Sequence, residues 1–558
     1  MKESAPIAQT SDRTLRSRPR ATAWPARLLP LFLVLIRPAT VTAQYDYASD
    51  GLTATITKYT GAGGAVDVPS TLDGLRVTGI GDRAFADSAL LTSVTIPDGV
   101  SNLGAYVFYY CTGLTNVVVP ASVTNAGAGV FANCSSLGRV ALPNSVANLG
   151  DEAFANCASL AQVTLPNSIV NLGSGLFVNC PSLAGITIPA SVTNIGNNAF
   201  YYCTRLASVA IPSGVTGIGN SAFYYCTRLT NVVIGDHVAA IGASAFANCT
   251  SLASVTIPTS VTNLGDSAFY YCASLASVTL GNGLTRLGSQ TFADCISLTN
   301  AVLGQGLLSL GVSTFDDCIS LARVAIPTSV TNIGDNAFYS CAGLTDITLP
   351  SSVTSLGNAA FANCTHLSSI TLPSSLTRLG GNTFGNCLSL TQVTIPNSVT
   401  NLGDNVFQYC SHLVTVTMGR AVTSLGADSF SGCYNLQSLY FQGNAPSLGS
   451  SAFAGDHLAT AYYWPGTTGW GPTFGGLPAV LWGLRVQTGD GAFGVRTNQF
   501  GFNSVWADGQ VIVVEACTNL FKPVWVPLRT NTFVGDTDYF SDPQWTNFPV
   551  RFYRVRSP

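Results

Sequence analysis

One stretch of sequence is repeated along most of the chain at a fixed interval of 23 residues. A clean copy runs from Leu252 to Ser274, and the next copy begins at Leu275. Fifteen cysteines keep this interval from Cys111 to Cys433, and seventeen phenylalanines keep it from Phe85 to Phe453. A glycine stands four residues before each of those phenylalanines. A short period with fixed apolar positions predicts a solenoid, in which each repeat packs mainly on its two neighbours.

The first half of each repeat predicts a short strand. In the copy that starts at Leu252, Val255 and Ile257 alternate with polar residues, which is typical of a strand with one buried face. Pro258 then ends the strand, because proline has no backbone N–H to donate to a sheet. Strands at the same place in successive repeats would pair in parallel, about 4.8 Å apart.

The second half of each repeat predicts a short helical turn. Gly265 precedes the turn and offers a backbone conformation that other residues resist. Asp266 or Ser267 would cap the turn, and Phe269 and Cys272 would lie on its inward face. Together the two halves predict an α/β solenoid of parallel strands with short helical turns.

Composition argues against two classes of protein. Charged residues make up only 9% of the chain, the net charge is −3 and there are three lysines, so the basic surface that nucleic acid requires is missing. Mean hydropathy is +0.34, yet no apolar run within the repeats approaches the length that crosses a bilayer. We therefore expect no nucleic-acid partner and no integral membrane span in the mature chain.

Residues 1–43 have the features of an export signal. Five arginines precede a short apolar core at Leu28–Ile36, and Val41-Thr42-Ala43 offers small residues where a signal peptidase could cut. A membrane anchor is the weaker interpretation, because a nine-residue apolar run is too short to span a bilayer. We expect the mature chain to begin near Gln44 and to be secreted or held at the cell surface.

The departures from the repeat predict the remaining domains. Residues 44–80 are interpreted as an N-terminal cap, residues 81–458 as the repeat array and residues 459–483 as an aromatic-rich C-terminal cap. Residues 484–558 are interpreted as a small β-rich module. The strands predicted in that module are Val511–Glu515, Val524–Val526 and Val550–Val555, with a turn at 536–538.

The repeat resembles a known family. Its pattern, Leu-x-x-Val-x-Ile-Pro-x-x-Val-x-x-Ile-Gly-x-x-Ala-Phe-x-x-Cys, is similar to the BspA-like leucine-rich repeats of bacterial and protist surface proteins, and the resemblance covers about residues 66–458. It implies a curved leucine-rich-repeat horseshoe and an association with surface binding. Known members resemble adhesins and secreted binding proteins more than enzymes, and the family supplies no catalytic residues to carry over. Residues 484–558 resemble a small β-sandwich module found at the ends of exported bacterial proteins.

The cysteine column has two interpretations. In an exported protein, cysteines on adjacent rows could form disulfides, since their Cα atoms would lie about 4.8 Å apart. Parallel stacking also keeps the Cβ atoms near that separation, wider than a disulfide prefers, and fifteen identical positions cannot all pair. We therefore predict a column of buried, reduced thiols. A metal site is not expected, because each cysteine lacks a second ligand in its own row.

Other polar residues do not form a recognisable catalytic or metal site. The four histidines are predicted to be surface residues, because they occupy no common column on adjacent rows: His237, His366, His412 and His457. Asp294, Asp316 and Asp317 could bind a cation weakly, but a solvated cluster is the favoured interpretation. No group of unrepeated serine, histidine and carboxylate residues stands out from the repeat, so we expect no catalytic residues and no cofactor.

One segment predicts a docking site. The sequence FYYCTRL occurs on two adjacent rows, at 200–206 and at 223–229, and would stack tyrosine on tyrosine and place the two arginines side by side. Tyrosine and arginine are favoured where a partner binds. Duplication of one row would explain the same identity without any function. The candidate contact residues are Tyr201, Tyr202, Arg205, Tyr224, Tyr225 and Arg228.

These features predict an exported, non-enzymatic leucine-rich-repeat scaffold. Its partner would be a protein or a surface glycan, bound in the manner of an adhesin. The first alternative is a structural envelope or matrix spacer. The second is an enzyme whose site is hidden in residues 484–558.

Overall fold

The architecture is a solenoid of stacked coils followed by a small module of antiparallel sheets. In the computed structural model, residues 44–464, 467–482, 485–489, 491–506, 509–534, 537–556 and 558 are described. The predicted export signal, residues 1–43, lies outside them.

A first series of parallel strands repeats the Val-x-Ile segment of each row. Strands partner across the repeat interval, as in Val255 with Val278. The described strands of this series are β3 Gly64–Asp67, β6 Leu91–Thr95, β8 Asn116–Val118, β10 Arg139–Ala141, β12 Gln162–Thr164, β15 Ser208–Ala210, β17 Asn231–Val233, β19 Ser254–Ile257, β21 Ser277–Leu280, β22 Asn300–Val302, β24 Arg323–Val324, β26 Asp346–Thr348, β28 Ser369–Thr371, β30 Gln392–Thr394, β31 Thr415–Met418, β33 Ser438–Phe441 and β35 Thr460–Tyr463. This series confirms the strand that the alternating pattern predicts.

A second series of two-residue strands lies just before the glycine of most rows. Sequence analysis did not predict it as a sheet. The strands are β7 Asn102–Leu103, β9 Asn125–Ala126, β11 Asn148–Leu149, β13 Asn171–Leu172, β14 Asn194–Ile195, β16 Gly217–Ile218, β18 Ala240–Ile241, β20 Asn263–Leu264, β23 Ser309–Leu310, β25 Asn332–Ile333, β27 Ser355–Leu356, β29 Arg378–Leu379, β32 Ser424–Leu425 and β34 Ser447–Leu448. Most coils therefore contribute to two parallel ladders.

The third side of each coil is not helical, so the predicted helical turns are wrong. We call it the turn face and define it as the residues from the one after each row's glycine to the second after its cysteine. Two positions per row have positive φ in all seventeen rows: the second residue after the glycine and the second after the phenylalanine. Ser267 has a φ of 56° and Tyr271 a φ of 55°. A helix cannot contain such alternation, because left-handed residues break the right-handed path.

Backbone hydrogen bonds of the turn face run between rows. The N–H groups of Ser267, Phe269 and Tyr271 donate to carbonyls of the following row at 2.8–2.9 Å. The predicted cap of a helix is also wrong: the Asp266 carboxylate accepts instead from the backbone N–H of Ser289 in the next row, at 2.8 Å. The turn face is thus stabilised by stacking in the same way as the strands.

The repeated glycine has a different role from the predicted one. Gly265 does not have positive φ, so conformational freedom does not explain it. A Cβ on Gly265 would lie 2.4 Å from the backbone nitrogen of Ala243 in the preceding row. The column of glycines exists because successive backbones approach too closely for a side chain.

The core is a column of phenylalanine rings beside a column of thiols. Successive rings from Phe85 to Phe453 have centroids 5.0–5.7 Å apart, and most pairs are stacked. All fifteen repeat cysteines are buried and unpaired, which agrees with the predicted column of buried thiols. Each thiol donates to the carbonyl of the preceding row's phenylalanine, as Cys272 Sγ does to Phe246 at 3.2 Å.

Irregular strands cover the N-terminal end of the column. They are β1 Tyr45–Ser49, β2 Thr53–Tyr59, β4 Thr71–Leu72 and β5 Leu75–Ile80. The ring of Tyr59 stacks on that of Phe85, with centroids 4.9 Å apart. The first row is five residues longer than the next between its proline and its glycine, Pro69 to Gly81. This longer segment contains the β4–β5 hairpin, and β5 pairs in parallel with β2 and β7.

Aromatic residues lie over the other end of the column. The hairpin of β36 Thr473–Phe474 and β37 Leu477–Leu481 extends the first series through β35. Phe474 lies 5.9 Å from Phe453 and 5.2 Å from Phe441, between ring centroids. Trp470 packs on Phe441 at 5.0 Å.

The C-terminal module is all-β, as predicted. Its strands are β38 Arg485–Gln487, β39 Gly494–Arg496, β40 Gln499–Val505, β41 Val511–Cys517, β42 Val526–Thr532, β43 Thr537–Asp542 and β44 Phe552–Arg556, with a 3-10 turn at Trp545–Asn547. They form two antiparallel sheets around a core that includes Phe502, Trp506 and Ile512. The turn predicted at 536–538 is wrong in its described part, since Thr537 and Asp538 begin β43.

Candidate functional site

The predicted contact residues lie on the turn face of two adjacent rows. Two tight turns shape this part of each coil: in the second row, Cys226 N–H donates to Phe223 and Leu229 N–H donates to Cys226, at 3.2 and 3.0 Å. These turns keep the residues before and after the cysteine on one corner of the coil. The structure thus places the tyrosines and the arginines on the same side of the solenoid.

The tyrosines form two stacked pairs across the rows. The rings of Tyr201 and Tyr224 have centroids 5.0 Å apart with planes at 9°. Those of Tyr202 and Tyr225 are 4.4 Å apart at 11°. The predicted stacking of tyrosine on tyrosine is confirmed. Burial and the neighbouring tyrosines raise the pKa of Tyr201, so its hydroxyl stays neutral and available as a donor.

Two of these tyrosines have a backbone conformation that does not suit them. Tyr202 and Tyr225 both have a φ of 61°. Asn, Asp, Gly or Ser occupies this position in twelve of the seventeen rows and Tyr in five. Left-handed conformation costs a residue with a bulky side chain about 1–2 kcal/mol, whereas Gly and Asn adopt it readily. The chain therefore accepts a local cost in order to present these rings.

The arginines are exposed next to the rings. Arg205 and Arg228 stand at the second position after the cysteine, where most rows have serine. Among the described residues, no hydrogen bond or ion pair is formed by either guanidinium group. Like charges on adjacent rows repel each other. The pair is consequently a positive site that lacks a counter-charge within its own surface.

A second tyrosine cluster, near the N-terminal end, is satisfied internally. Arg83 lies over the rings of Tyr106 and Tyr109, 5.2 and 5.3 Å from their centroids. Tyr110 packs edge-on against Tyr109 at 4.7 Å. Since its cation already has aromatic partners, this cluster is a weaker candidate for binding and a suitable internal control.

The predicted acidic cluster lies on the turn face, three and four rows beyond the row of Cys226. Asp294, Asp316 and Asp317 are partly buried. Burial, followed by repulsion from Asp317 and Asp294, raises the pKa of Asp316 to about 6. No set of three or more metal-ligating side chains occurs among the described residues. The cation-site interpretation therefore gains no support.

The same acidic rows expose two large apolar side chains that sequence analysis missed. Ile296 and Ile319 are 43% and 47% exposed. They follow their cysteines directly, at a position where most rows have Thr, Ser or Ala. That departure from the repeat was the available signal.

The histidines and the repeat cysteines have structural roles in the array. Three histidine rings each bond to a backbone carbonyl of the preceding row: His237 with Ser213, His366 with Ala342 and His412 with Leu388. Burial raises the pKa of every repeat thiol, as for Cys111 at about 12, so little nucleophilic thiolate forms.

An open hollow of about 500 Å³ lies on the surface of the first strand series, where Gly185 has no side chain, with Arg139 and Gln162 at its edge. The residues that line it do not include a nucleophile paired with a base.

The stacked coils, two parallel ladders and buried phenylalanine column define a leucine-rich repeat scaffold. The model of the BspA type leucine-rich repeat region matches residues 73–183, 130–253, 216–345 and 331–459. Because these matches cover more than half of the sequence, the chain belongs to this family, as the resemblance indicated. Members of the leucine-rich repeat class generally bind proteins.

One solved structure agrees with this assignment, and a second shares sequence similarity with the chain. A leucine-rich repeat protein from Bacteroides ovatus is 28% identical, with 60% of this chain and 93% of that one covered and a TM-score of 0.50. A leucine rich cell surface protein from Faecalibacterium prausnitzii is 29% identical, with 72% and 94% covered and a TM-score of 0.37. No curated protein matches the chain. Over the residues that the structure describes, no helix is long and apolar enough to cross a membrane.

Proposed function

We propose that the chain is an exported, non-enzymatic scaffold that binds a protein partner through the patch formed by Tyr201, Tyr202, Arg205, Tyr224, Tyr225 and Arg228. The observation that supports this most is the left-handed conformation of Tyr202 and Tyr225. A position where most rows have Asn, Asp, Gly or Ser carries instead an aromatic ring that is at least partly exposed and that costs backbone strain. Stacked tyrosines beside unpaired arginines offer apolar area, hydroxyl donors and planar cations, a combination that is favoured at protein interfaces.

The chain itself offers a matched variant to test the proposal. Four rows have Ala-Asn in place of Tyr-Tyr, for example Ala247-Asn248. Replacing both tyrosine pairs by Ala-Asn (Y201A/Y202N/Y224A/Y225N) removes the rings and keeps residues that suit the backbone. The control is Y109A/Y110N, which makes the same change in the cluster around Arg83.

Binding is measured by using the purified chain to capture partners from surface extracts of the cells that produce it. The wild type and the Tyr109/Tyr110 control should retain the same protein partner, and the patch variant should lose it by at least about thirtyfold in affinity if the rings are a hot spot. Treating the extract with protease should abolish capture, and periodate should not. Periodate sensitivity would identify a glycan instead. Equal capture by all three proteins would show that the patch does not contribute to binding, and would favour the structural spacer instead.

Export is part of the proposal and has its own test. Chain recovered from outside the cell should begin near Gln44 by N-terminal sequencing. An intact N-terminus on the recovered chain would contradict cleavage of the predicted signal.

A further inference from the structure

The first strand series is interrupted at one row of the array. All the other rows between Leu91 and Tyr463 contribute a strand to the series, whereas Gly185, Ile186 and Thr187 form none. Among the described residues, the backbone N–H and C=O groups of these three have no hydrogen-bond partner. The strands on either side, β12 and β15, therefore belong to separate ladders. Exposed backbone groups of this kind are satisfied by water or by a ligand.

The interruption opens the surface towards the core. In the other rows from Val94 to Leu439, the inward-facing residue at the centre of the strand is buried. Val163 and Ile186 are the exceptions, since both are only partly buried. They form the floor of the hollow of about 500 Å³. Ligand sites usually have volumes of about 300–1,000 Å³, so the hollow has the size of a binding site with an apolar floor.

Polar side chains surround this floor. Gln162 and Thr164 come from one row, Thr187 from the interrupted row and Ser208 from the next, and all four are exposed. In the part of the chain that the structure describes, none of these side chains forms a hydrogen bond. One amide and three hydroxyls are therefore free to donate to a ligand and to accept from it.

One cation at the edge of the hollow lacks a counter-charge. The side chain of Arg139 is exposed and forms neither an ion pair nor a hydrogen bond within the described residues. Arg323 has the same position in a later row, and its guanidinium lies 3.5 Å from Asp346 in the row that follows. The corresponding neighbour of Arg139 is Gln162, and Gly185 one row further leaves the space open. The guanidinium of Arg139 is therefore free, and its planar donors suit a carboxylate.

Floor, rim and cation together define one class of ligand. An apolar floor suits the C–H face of a pyranose ring, the free amide and hydroxyls suit its hydroxyl groups, and a single guanidinium suits one carboxylate. We propose that the hollow binds a carboxylated sugar, from an acidic polysaccharide or from the end of a surface glycan. A peptide suits it less, because the anchors of protein interfaces are large side chains in well-packed pockets, whereas this hollow is open and has a hydrophilic rim.

This site is separate from the tyrosine patch. Its residues lie on the first strand series, whereas Tyr202 and Tyr225 lie on the turn face of the coil. The inference therefore goes beyond the proposed function and does not rest on it. The variant that replaces the four tyrosines should bind the sugar as the wild type does, and a variant of Arg139 should still capture the protein partner of the patch.

Ligand-observed NMR of the full chain measures binding of small probes. Two probes carry a carboxylate, methyl glucuronide and the methyl glycoside of N-acetylneuraminic acid. A third, methyl glucoside, differs from the glucuronide in having a CH₂OH group in place of the carboxylate. The wild type should transfer saturation to the ring C–H protons of at least one acid, and should bind it at least about tenfold more tightly than the glucoside. Added salt should weaken this binding. The acid that binds more tightly identifies the source of the sugar.

Two variants test the cation and the gap. R139Q keeps a polar side chain and should raise the dissociation constant of the acid at least about tenfold, because it removes the charged donor. G185Q fills the hollow with the residue that stands in this column at Gln162 and Gln392. A Cβ on Gly185 would meet no atom within 4 Å, so the fold accepts the side chain. Binding of the acid should then be lost.

Matched controls separate these effects from a change in net charge and from misfolding. R323Q removes the same charge from the same column but beside Asp346, and G138T adds a side chain in open space outside the hollow. Both should bind the acid as the wild type does, and G185Q should unfold at the wild-type urea midpoint. A wild type that binds neither acid, or that binds the glucoside or an acidic tripeptide equally well, overturns the inference. Unchanged binding in R139Q or in G185Q does so too.

Discussion

At the residue scale, the turn face shows the cost of placing tyrosine where the array favours asparagine. Tyr409 has a φ of 60° and is 46% exposed, and among the described residues it forms no ring pair. Tyr225 has the same conformation but stacks on Tyr202. The two positions therefore separate backbone strain from the gain of stacking, which is worth about 0.5–1.5 kcal/mol.

We expect Tyr409→Asn to stabilise the array by about 1 kcal/mol, because asparagine tolerates the left-handed conformation. Tyr225→Asn should gain less, since it also loses the stacked ring. Urea denaturation followed by circular dichroism measures both midpoints. A lower midpoint for Tyr409→Asn would contradict the cost assigned to tyrosine here.

The thiol column makes a second prediction at this scale. All sixteen cysteines, including Cys517, are buried. Burial raises the pKa of the repeat thiols, so native protein should resist alkylation at neutral pH. Denaturation without reductant should expose sixteen reactive groups. Rapid labelling of the native protein, or a need for reductant, would contradict the column of buried thiols.

A third residue, Asp456, makes the C-terminal end of the array sensitive to pH. It stands where the cysteine column would continue and is 1% exposed, and neither carboxylate oxygen has a hydrogen-bond partner in the described part of the chain. Burial raises the pKa of Asp456 to about 7. Because the folded pKa lies above the ordinary value of about 3.9, the neutral form stabilises the fold below about pH 4. That contribution is lost as pH rises through 7.

Stability of the C-terminal end should accordingly fall between pH 4 and pH 7, by up to about 1.4 kcal/mol per pH unit. Asp456→Cys should flatten this dependence, because a neutral thiol can donate to the Phe430 carbonyl as its counterparts do. Six of the seven tryptophans lie between residues 464 and 545, so their fluorescence reports on this end during urea unfolding. The same pH dependence in wild type and variant would assign it to other groups.

At the scale of the element, close stacking of coils explains the invariant glycine of each row. A Cβ on Gly265 would contact the Ala243 backbone, whereas a Cβ on Gly138 would have no atom within 4 Å. We expect Gly265→Ala to destabilise the array by about 1–3 kcal/mol through overpacking, and Gly138→Ala to be neutral. The midpoints of urea denaturation of the two variants measure this difference in stability. Equal midpoints would show that backbone proximity does not constrain the column.

Strands were predictable from sequence and the turn face was not. Alternation of Val255 and Ile257 with polar residues predicts a strand with one buried face, and β19 confirms it. The spacing of Phe269 and Cys272 fits one side of a helical turn, but it fits a pair of tight turns equally well. Recurrent Asn, Asp and Gly before the cysteine was the signal for left-handed backbone, since these residues tolerate positive φ. The tyrosine stack was predictable from the two identical rows, whereas the exposure of Ile296 and Ile319 became visible only in the structure.

At the scale of the whole molecule, stability depends on covering the two ends of the phenylalanine column. Each internal row is covered by its neighbours, but Phe85 and Phe453 have a repeat on one side only. Tyr59 covers the first ring and Phe474 the last. We interpret residues 44–80 and 459–483 as caps on this basis, because the terminal repeats of an array need capping for solubility.

Deleting either cap should expose a full row of apolar side chains and cause end-to-end association. Deleting the internal repeat Leu252–Ser274 should be milder, because the flanking rows can restack at the same interval and both caps remain. Light scattering of the deletion variants at equal concentration measures this difference. If the cap deletions stay as soluble as the internal deletion, the ends of the array are protected by something other than these residues.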